Sequence, residues 1–258
     1  MHCRRFGRSI QGHEYALGVD ESAVNAAIAS YQKVYAETGD RGLVRTGASS
    51  PIVCISHCLP FDLFLEYTIT ERKAIHEFLQ EITRRTCMAI DAVFSRGKFD
   101  VFVNLGGSEQ CTPPMTSPRA FDEFVVPYDS QIIAKFKEYG VLASCHCHGK
   151  VSHALKGIME AGYVGTDPVE PPPMGDVTFE QARKITGGNL TLFGNLEWSE
   201  LDQSTPEQIK TRVREILSYG KERLVVSSSA GPICAMTPTQ IANYYAWVDA
   251  MLEFGAKA

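Results

Sequence analysis

The chain has 258 residues, 44% hydrophobic and 21% charged, which is enough to bury a full core as one domain over residues 1–258. Its formal net charge is −5 and it has no basic block, so nucleic acid and anionic membranes are unexpected partners. No apolar run is long enough to span a membrane, and the N-terminal segment lacks the apolar centre of a signal peptide. Because the eight cysteines are scattered, we expect free thiols and a cytoplasmic location.

Short apolar runs alternate with segments of helical periodicity along the chain. The apolar runs predict strands over residues 42–46, 100–105, 141–148, 163–166, 190–194 and 223–228. The periodic segments predict helices over 21–38, 70–97, 117–140, 151–161 and 178–184, with two more beginning at Thr205 and Thr237. This alternation indicates a parallel sheet covered by helices.

A TIM-type (β/α)8 barrel is the α/β fold that best accounts for this alternation. Such a barrel has eight strands, about two more than the sequence predicts. The missing strands would lie at the N-terminal end. Either residues 1–41 contain them, or the chain begins late relative to a complete barrel.

The strand over 141–148 ends in Cys145, His146, Cys147 and His148. Because side chains alternate along a strand, the two histidines should share one face and the two cysteines the other. Two imidazoles on one face at the end of a buried strand form half of a tetrahedral zinc site. The alternative is a pair of hydrogen-bonded histidines in a polar barrel mouth.

A third zinc ligand has to come from another loop. Cys234 follows the last predicted strand and is our choice, with Glu109 and Glu170 as carboxylate alternatives. The competing interpretation of Cys234 is a small buried hydrophobic residue.

Polar residues follow several predicted strands, and the active site of such a barrel lies at the carboxyl ends of its strands. We predict Glu109, Glu170 and Asn195 as catalytic residues, and Gly194 and Ser229 as cofactor-binding residues. The alternatives are a spacer role for the segment of Glu170, which precedes three prolines, and a tight turn at Gly194 and Asn195.

Four segments within residues 98–250 resemble a known family: GGSEQCTPPMTSPRAFDEFVVPYDSQII, HCHGK, DPVEPPPMGD and GNLE. Together they resemble the uroporphyrinogen decarboxylase superfamily, and more narrowly its branch of zinc-dependent, corrinoid-linked methyltransferases. The resemblance implies a (β/α)8 barrel with a deep pocket at the strand C-termini. It also implies zinc and a corrinoid (cobalamin) that a separate carrier protein supplies.

In that branch, an H-x-C pair and a later cysteine hold the zinc. Here His146 matches the first position, His148 replaces the cysteine of the pair, and Cys234 approximates the last ligand with different local spacing. Relatives that demethylate aromatic ethers use carboxylates with histidine, which would make Glu109 a ligand. The arginine-rich RQAGRY segment of the decarboxylases has no counterpart, since CRRFGRS at 3–9 lacks the pattern.

The expected activity is zinc-dependent transfer of a methyl group between a small substrate, a thiol or a methyl ether, and a corrinoid. The alternatives are a metal-free carboxy-lyase acting on a porphyrinogen and a non-catalytic barrel remnant. The sequence leaves the oligomeric state open, with a homo-oligomer as one option.

Overall fold

The computed structural model describes residues 19–232 and 234–255. Within these ranges six strands form one parallel sheet in chain order. The strands are β1 (Val44–Ser49), β2 (Val101–Gly106), β3 (Leu142–His146), β4 (Gly165–Asp167), β5 (Thr191–Phe193) and β6 (Leu224–Val225). Each overlaps a predicted run, with ends that differ by at most three residues, so the sequence prediction of the strands is confirmed. This is the α/β arrangement of a TIM-type barrel, in which each strand pairs with the one before it.

One helix precedes the strands, and the others lie between and after them and cover the outside of the sheet. They are α1 (Glu21–Thr38), α2 (Pro51–Cys58), α3 (Phe61–Thr70), α4 (Arg72–Phe94), α5 (Arg119–Phe124), α6 (Val126–Glu138), α7 (Leu155–Glu160), α8 (Phe179–Thr186), α9 (Trp198–Gln203), α10 (Pro206–Ser218) and α11 (Pro238–Ala250). Short 3-10 turns cover Gly39–Arg41 and Ser108–Cys111, and a π-helical turn covers Met251–Gly255.

The described residues show in part whether residues 1–41 contain the two strands that are missing from a complete barrel. In the described ranges no ladder joins β1 to β6, so the sheet is an arc with two free edges. Residues 19–41 hold α1 and a 3-10 turn, so they supply neither missing strand. Residues 1–18, where the first alternative also placed strands, lie outside the described residues.

Three helices are absent from the prediction: α2, α3 and α9. Residues 51–70 form α2 and α3, and the long helix predicted from Thr70 begins at Arg72 as α4. Five residues of α2 are buried, and a helix that is apolar on most sides shows no amphipathic period in its sequence. The predicted helix 117–140 is divided at Val125, because Pro127 opens a new first turn.

The main core lies between the sheet and the helices. Its largest fully buried side chains include Phe64, Phe121 and Phe179. A smaller cluster around Leu196 and Leu201 lies beneath α9, α10 and α11. No single helix among the described residues is long and apolar enough to cross a membrane; α2 and α3, bent by 119° at their junction, meet that criterion only when taken together.

Candidate functional site at the carboxyl ends of the strands

The ends of β2, β3 and β4 are level with one another. In the strand register Gly106 pairs with His146, and His146 pairs with Asp167. The rings of His146 and His148 are 4.8 Å apart between centroids and stand at 89° to each other. They therefore lie side by side, as the alternation along β3 predicts.

His146 is held by a buried carboxylate. Its Nδ1 lies 3.3 Å from Oδ2 of Asp167, which is 6% exposed. The same oxygen accepts hydrogen bonds from Arg45 at 2.5 Å and from Asn104 at 3.4 Å. Burial by itself raises the pKa of Asp167, but the hydrogen bond from His146 and the charge of Arg45 outweigh it, so the pKa lies below its ordinary value.

His148 has a carboxylate partner of its own. Its Nδ1 lies 3.2 Å from Oε1 of Glu170, and Oε2 of Glu170 accepts a hydrogen bond from the backbone N–H of Gly149 at 2.7 Å. The hydrogen bond to Glu170 raises the pKa of His148 against the effect of burial, and the charges of Glu170, Glu109 and Asp167 add to the rise. A metal ion that binds His148 must therefore displace a proton that the neighbouring carboxylates stabilise.

The histidine pair fits two ligands of a zinc ion. When Nδ1 donates to a carboxylate, the neutral ring keeps its lone pair on Nε2, and metal-binding histidines usually have such a partner. The described residues do not identify a third ligand for such an ion. Cys234 is exposed, so its interpretation as a buried hydrophobic residue is wrong. Among the described residues no group of three or more His, Cys, Asp or Glu side chains is arranged to hold a metal ion.

Two further carboxylates lie near His148. Glu109 is on the 3-10 turn after β2, and its Oε2 is buried without a hydrogen-bond partner. Glu197 accepts a hydrogen bond from the hydroxyl of Ser229 at 2.7 Å through Oε2, whereas its buried Oε1 has no partner. Burial chiefly raises the pKa of Glu197, and the charge of Glu170 raises it further. Unsatisfied carboxylate oxygens of this kind can accept hydrogen bonds from a ligand.

Gly194 and Asn195 contact the scaffold around the site. The amide oxygen of Asn195 accepts a hydrogen bond from Arg212 on α10 at 3.0 Å. Gly194 has a φ of 120°, and a Cβ there would lie 3.3 Å from the backbone of Val169, next to Glu170. Asn195 is thus tied to α10 and Gly194 lies close to the segment that carries Glu170, and a direct role for either residue in catalysis or cofactor binding stays a prediction.

Sequence reasoning assigned no role to Asp167 and did not single out Arg45 or Asn104. Each is a charged or amide residue within a strand or at its end: Arg45 in β1, Asn104 in β2 and Asp167 in β4. A charged or amide side chain at such a position is the signal that could have found them, because a buried polar group needs a partner. Cys145 and Cys147, expected to face away from the histidines, are fully buried.

Comparison with known proteins adds to this geometry. The chain is 29% identical over 201 residues to a uroporphyrinogen decarboxylase from Flavobacterium johnsoniae, covering 76% of this chain and 53% of that protein. It is 27% identical over 220 residues to one from Christiangramia forsetii, covering 80% and 58%. The chain thus spans about half the length of the curated relatives it matches.

A solved structure shares the fold. The chain superposes on a methyltransferase from Methanosarcina mazei with a TM-score of 0.72 and 20% sequence identity, over 89% of this chain and 64% of that one. The family model described as uroporphyrinogen decarboxylase (URO-D) matches residues 13–254. Since this match covers nearly the whole sequence, the chain belongs to the URO-D family.

Proposed function

We propose that this chain is a methyltransferase of the URO-D family in which His146 and His148 bind zinc. The methyl group moves between a small thiol or methyl ether and a corrinoid supplied by a carrier protein. One observation carries the proposal. The two rings lie 4.8 Å apart, and each has Nδ1 against a buried carboxylate, which leaves both Nε2 atoms for an ion.

The residues divide the work as follows. Nε2 of His146 and Nε2 of His148 hold the ion, and Asp167 and Glu170 orient the two rings. When bound, zinc supplies a Lewis acid that activates a thiol or polarises an ether oxygen. We propose Cys234 as the third ligand, with Glu109 as the carboxylate alternative because its Oε2 is buried and unpartnered.

The relatives' names make decarboxylation the second candidate, but the charges of the mouth count against it. A porphyrinogen carries many carboxylates and needs several arginines to bind it. In the described site Arg45 is already paired with Asp167, and the carboxylates of Glu109, Glu170 and Glu197 are close by. Like charges repel a polyacidic substrate, whereas zinc would be stabilised there.

Metal analysis tests the proposal directly. Purified full chain should bind about one zinc, and His148→Ala should lower the affinity by roughly 10-fold or more. His57→Ala is the matched control, because His57 is exposed on α2. A wild-type chain that binds no zinc on titration, or a His148→Ala variant that binds as well as wild type, would refute it.

A second pair of variants tests the third ligand. Cys234→Ser should weaken zinc binding, and Cys58→Ser is its control because both thiols are exposed. If Cys234→Ser binds zinc like wild type, the third ligand lies elsewhere and Glu109→Gln is the next variant to titrate.

Activity separates the candidate reactions. Absorbance of free methylcobalamin mixed with a thiol should change with time in the presence of the zinc-loaded chain, and a chelator should stop the change. Chelator-resistant release of carbon dioxide from uroporphyrinogen would instead establish the decarboxylase. A folded chain that does neither, under all metal conditions, would favour the non-catalytic remnant.

A further inference from the structure

One carboxylate oxygen, Oδ2 of Asp167, is the centre of a hydrogen-bonded group inside the barrel. It lies 2.5 Å from Nη2 of Arg45, 3.3 Å from Nδ1 of His146 and 3.4 Å from Nδ2 of Asn104. The four residues come from β1, β3, β2 and β4. Each of the first four strands therefore contributes one member, and the position of the carboxylate depends on all of them.

The members of this group are themselves fixed. The hydroxyl of Ser144 donates to Oδ1 of Asn104 at 2.7 Å, which turns the amide so that its N–H groups face Asp167. Arg45 is half-exposed, with a side-chain exposure of 46%, while the side chain of Asp167 is 8% exposed. The guanidinium thus places a positive charge against a buried carboxylate that would otherwise be costly to keep ionised.

We propose that Asp167, held by Arg45 and Asn104, is the positioning residue of His146: it accepts a hydrogen bond from Nδ1–H and thereby presents Nε2 to the mouth of the barrel. This inference depends on the proposed function only for the identity of the group that Nε2 of His146 binds. A fixed tautomer and ring orientation would suit Nε2 equally well for binding a metal ion and for exchanging a proton with a substrate.

The second histidine provides an internal control. Glu170, the partner of His148, is anchored by the backbone N–H of Gly149, and it shares no hydrogen-bond partner with Asp167 among the described contacts. A change at Asp167 should therefore alter His146 and leave the tautomer of His148 as it is.

The test is a two-bond nitrogen–proton correlation spectrum of metal-free full chain with labelled histidine, recorded at about pH 9, well above the ordinary histidine pKa of about 6.5. Wild-type His146 should carry its proton on Nδ1. In Asp167→Ala it should shift several-fold toward the Nε2-protonated form, and Asp167→Asn, which keeps an acceptor oxygen, should restore the wild-type tautomer in part. The tautomer of the neutral His148 ring should not change in any of these variants.

Arg45 gives a second route if Asp167→Ala does not fold. Arg45→Ala should shift the His146 tautomer in the same direction, and Arg45→Lys should shift it less because the positive charge remains. A wild-type His146 protonated on Nε2, or a His146 that stays unchanged in both Asp167→Ala and Arg45→Ala, would overturn the inference. Failure to bind zinc would refute the proposed function without changing these spectra, so the two outcomes are distinguishable.

Discussion

The buried carboxyl of Asp129 should make the stability of this chain depend on pH in an unusual direction. Asp129 lies on α6 and is fully buried. Its Oδ1 accepts from the hydroxyl of Ser50 at 2.7 Å, and its Oδ2 accepts from that of Tyr163 at 2.6 Å. Burial raises the pKa of Asp129 to about 6 from an ordinary value of 3.8, and the two hydrogen bonds only partly offset this rise.

The size of the effect follows from the shift. A rise of about two pKa units corresponds to about 3 kcal/mol, at 1.36 kcal/mol per unit. Because the folded chain binds this proton more tightly than the unfolded chain, the stabilisation is complete below about pH 4 and is lost as pH rises through about 6. Most buried, paired carboxylates contribute stability in the opposite direction, so the contribution must be isolated by difference.

The contribution of Asp129 can be isolated by comparing wild type with Asp129→Asn. Urea unfolding of both proteins is monitored by circular dichroism at pH values from about 4 to about 7. The asparagine does not titrate, so the free energy of unfolding of wild type should fall by about 2–3 kcal/mol relative to the variant over this range. Asp62→Asn, the same change at an exposed position on α3, controls for the substitution itself. A difference between wild type and Asp129→Asn that stays constant with pH would refute the reasoning.

Three further predictions concern stability, each measured by urea unfolding. Gly175→Ala should lower the free energy of unfolding by about 1–3 kcal/mol, because the new Cβ would overlap the carbonyl oxygen of Glu170, whereas Gly231→Ala, with open space around it, should be nearly neutral. Phe64→Ala should cost about 3–5 kcal/mol, because this ring is fully buried in the main core; a cost below about 1 kcal/mol would contradict that packing. Thr237→Ala should cost about 1 kcal/mol, because its hydroxyl accepts the N–H of Gln240 at the start of α11, and Thr237→Ser should recover most of it.

The features that could be predicted from the sequence are those encoded locally. Capping threonines at 178, 205 and 237 each form a capping box with a glutamine three residues later, and each opens a helix where predicted. The strands were found because buried parallel strands are short apolar runs bounded by turn residues. The pairing of His146 with His148 likewise follows from alternation within a single strand.

The partners of the histidines could not be predicted in the same way. Arg45 and Asp167 are 122 residues apart in the chain, and their contact arises only when β1 and β4 are placed in the same sheet. No local pattern encodes such a pairing, although a polar residue inside an apolar strand indicates that a partner exists. Helix α2 could not be predicted because it is buried on most sides, and such a helix has no amphipathic period in its sequence.

The position of each predicted ligand in the sheet explains why the histidines and Cys234 behave differently. His146 ends β3, which has a paired neighbour on both sides, and Asp167 ends β4, which is also paired on both sides. Their geometry is therefore fixed by the interior of the arc. Cys234 follows β6, a two-residue strand at a free edge of the described sheet, and it is exposed. Cys234 is thus constrained from fewer sides, so under the proposed function the zinc affinity should depend on this edge, while the orientation of the histidine pair should not.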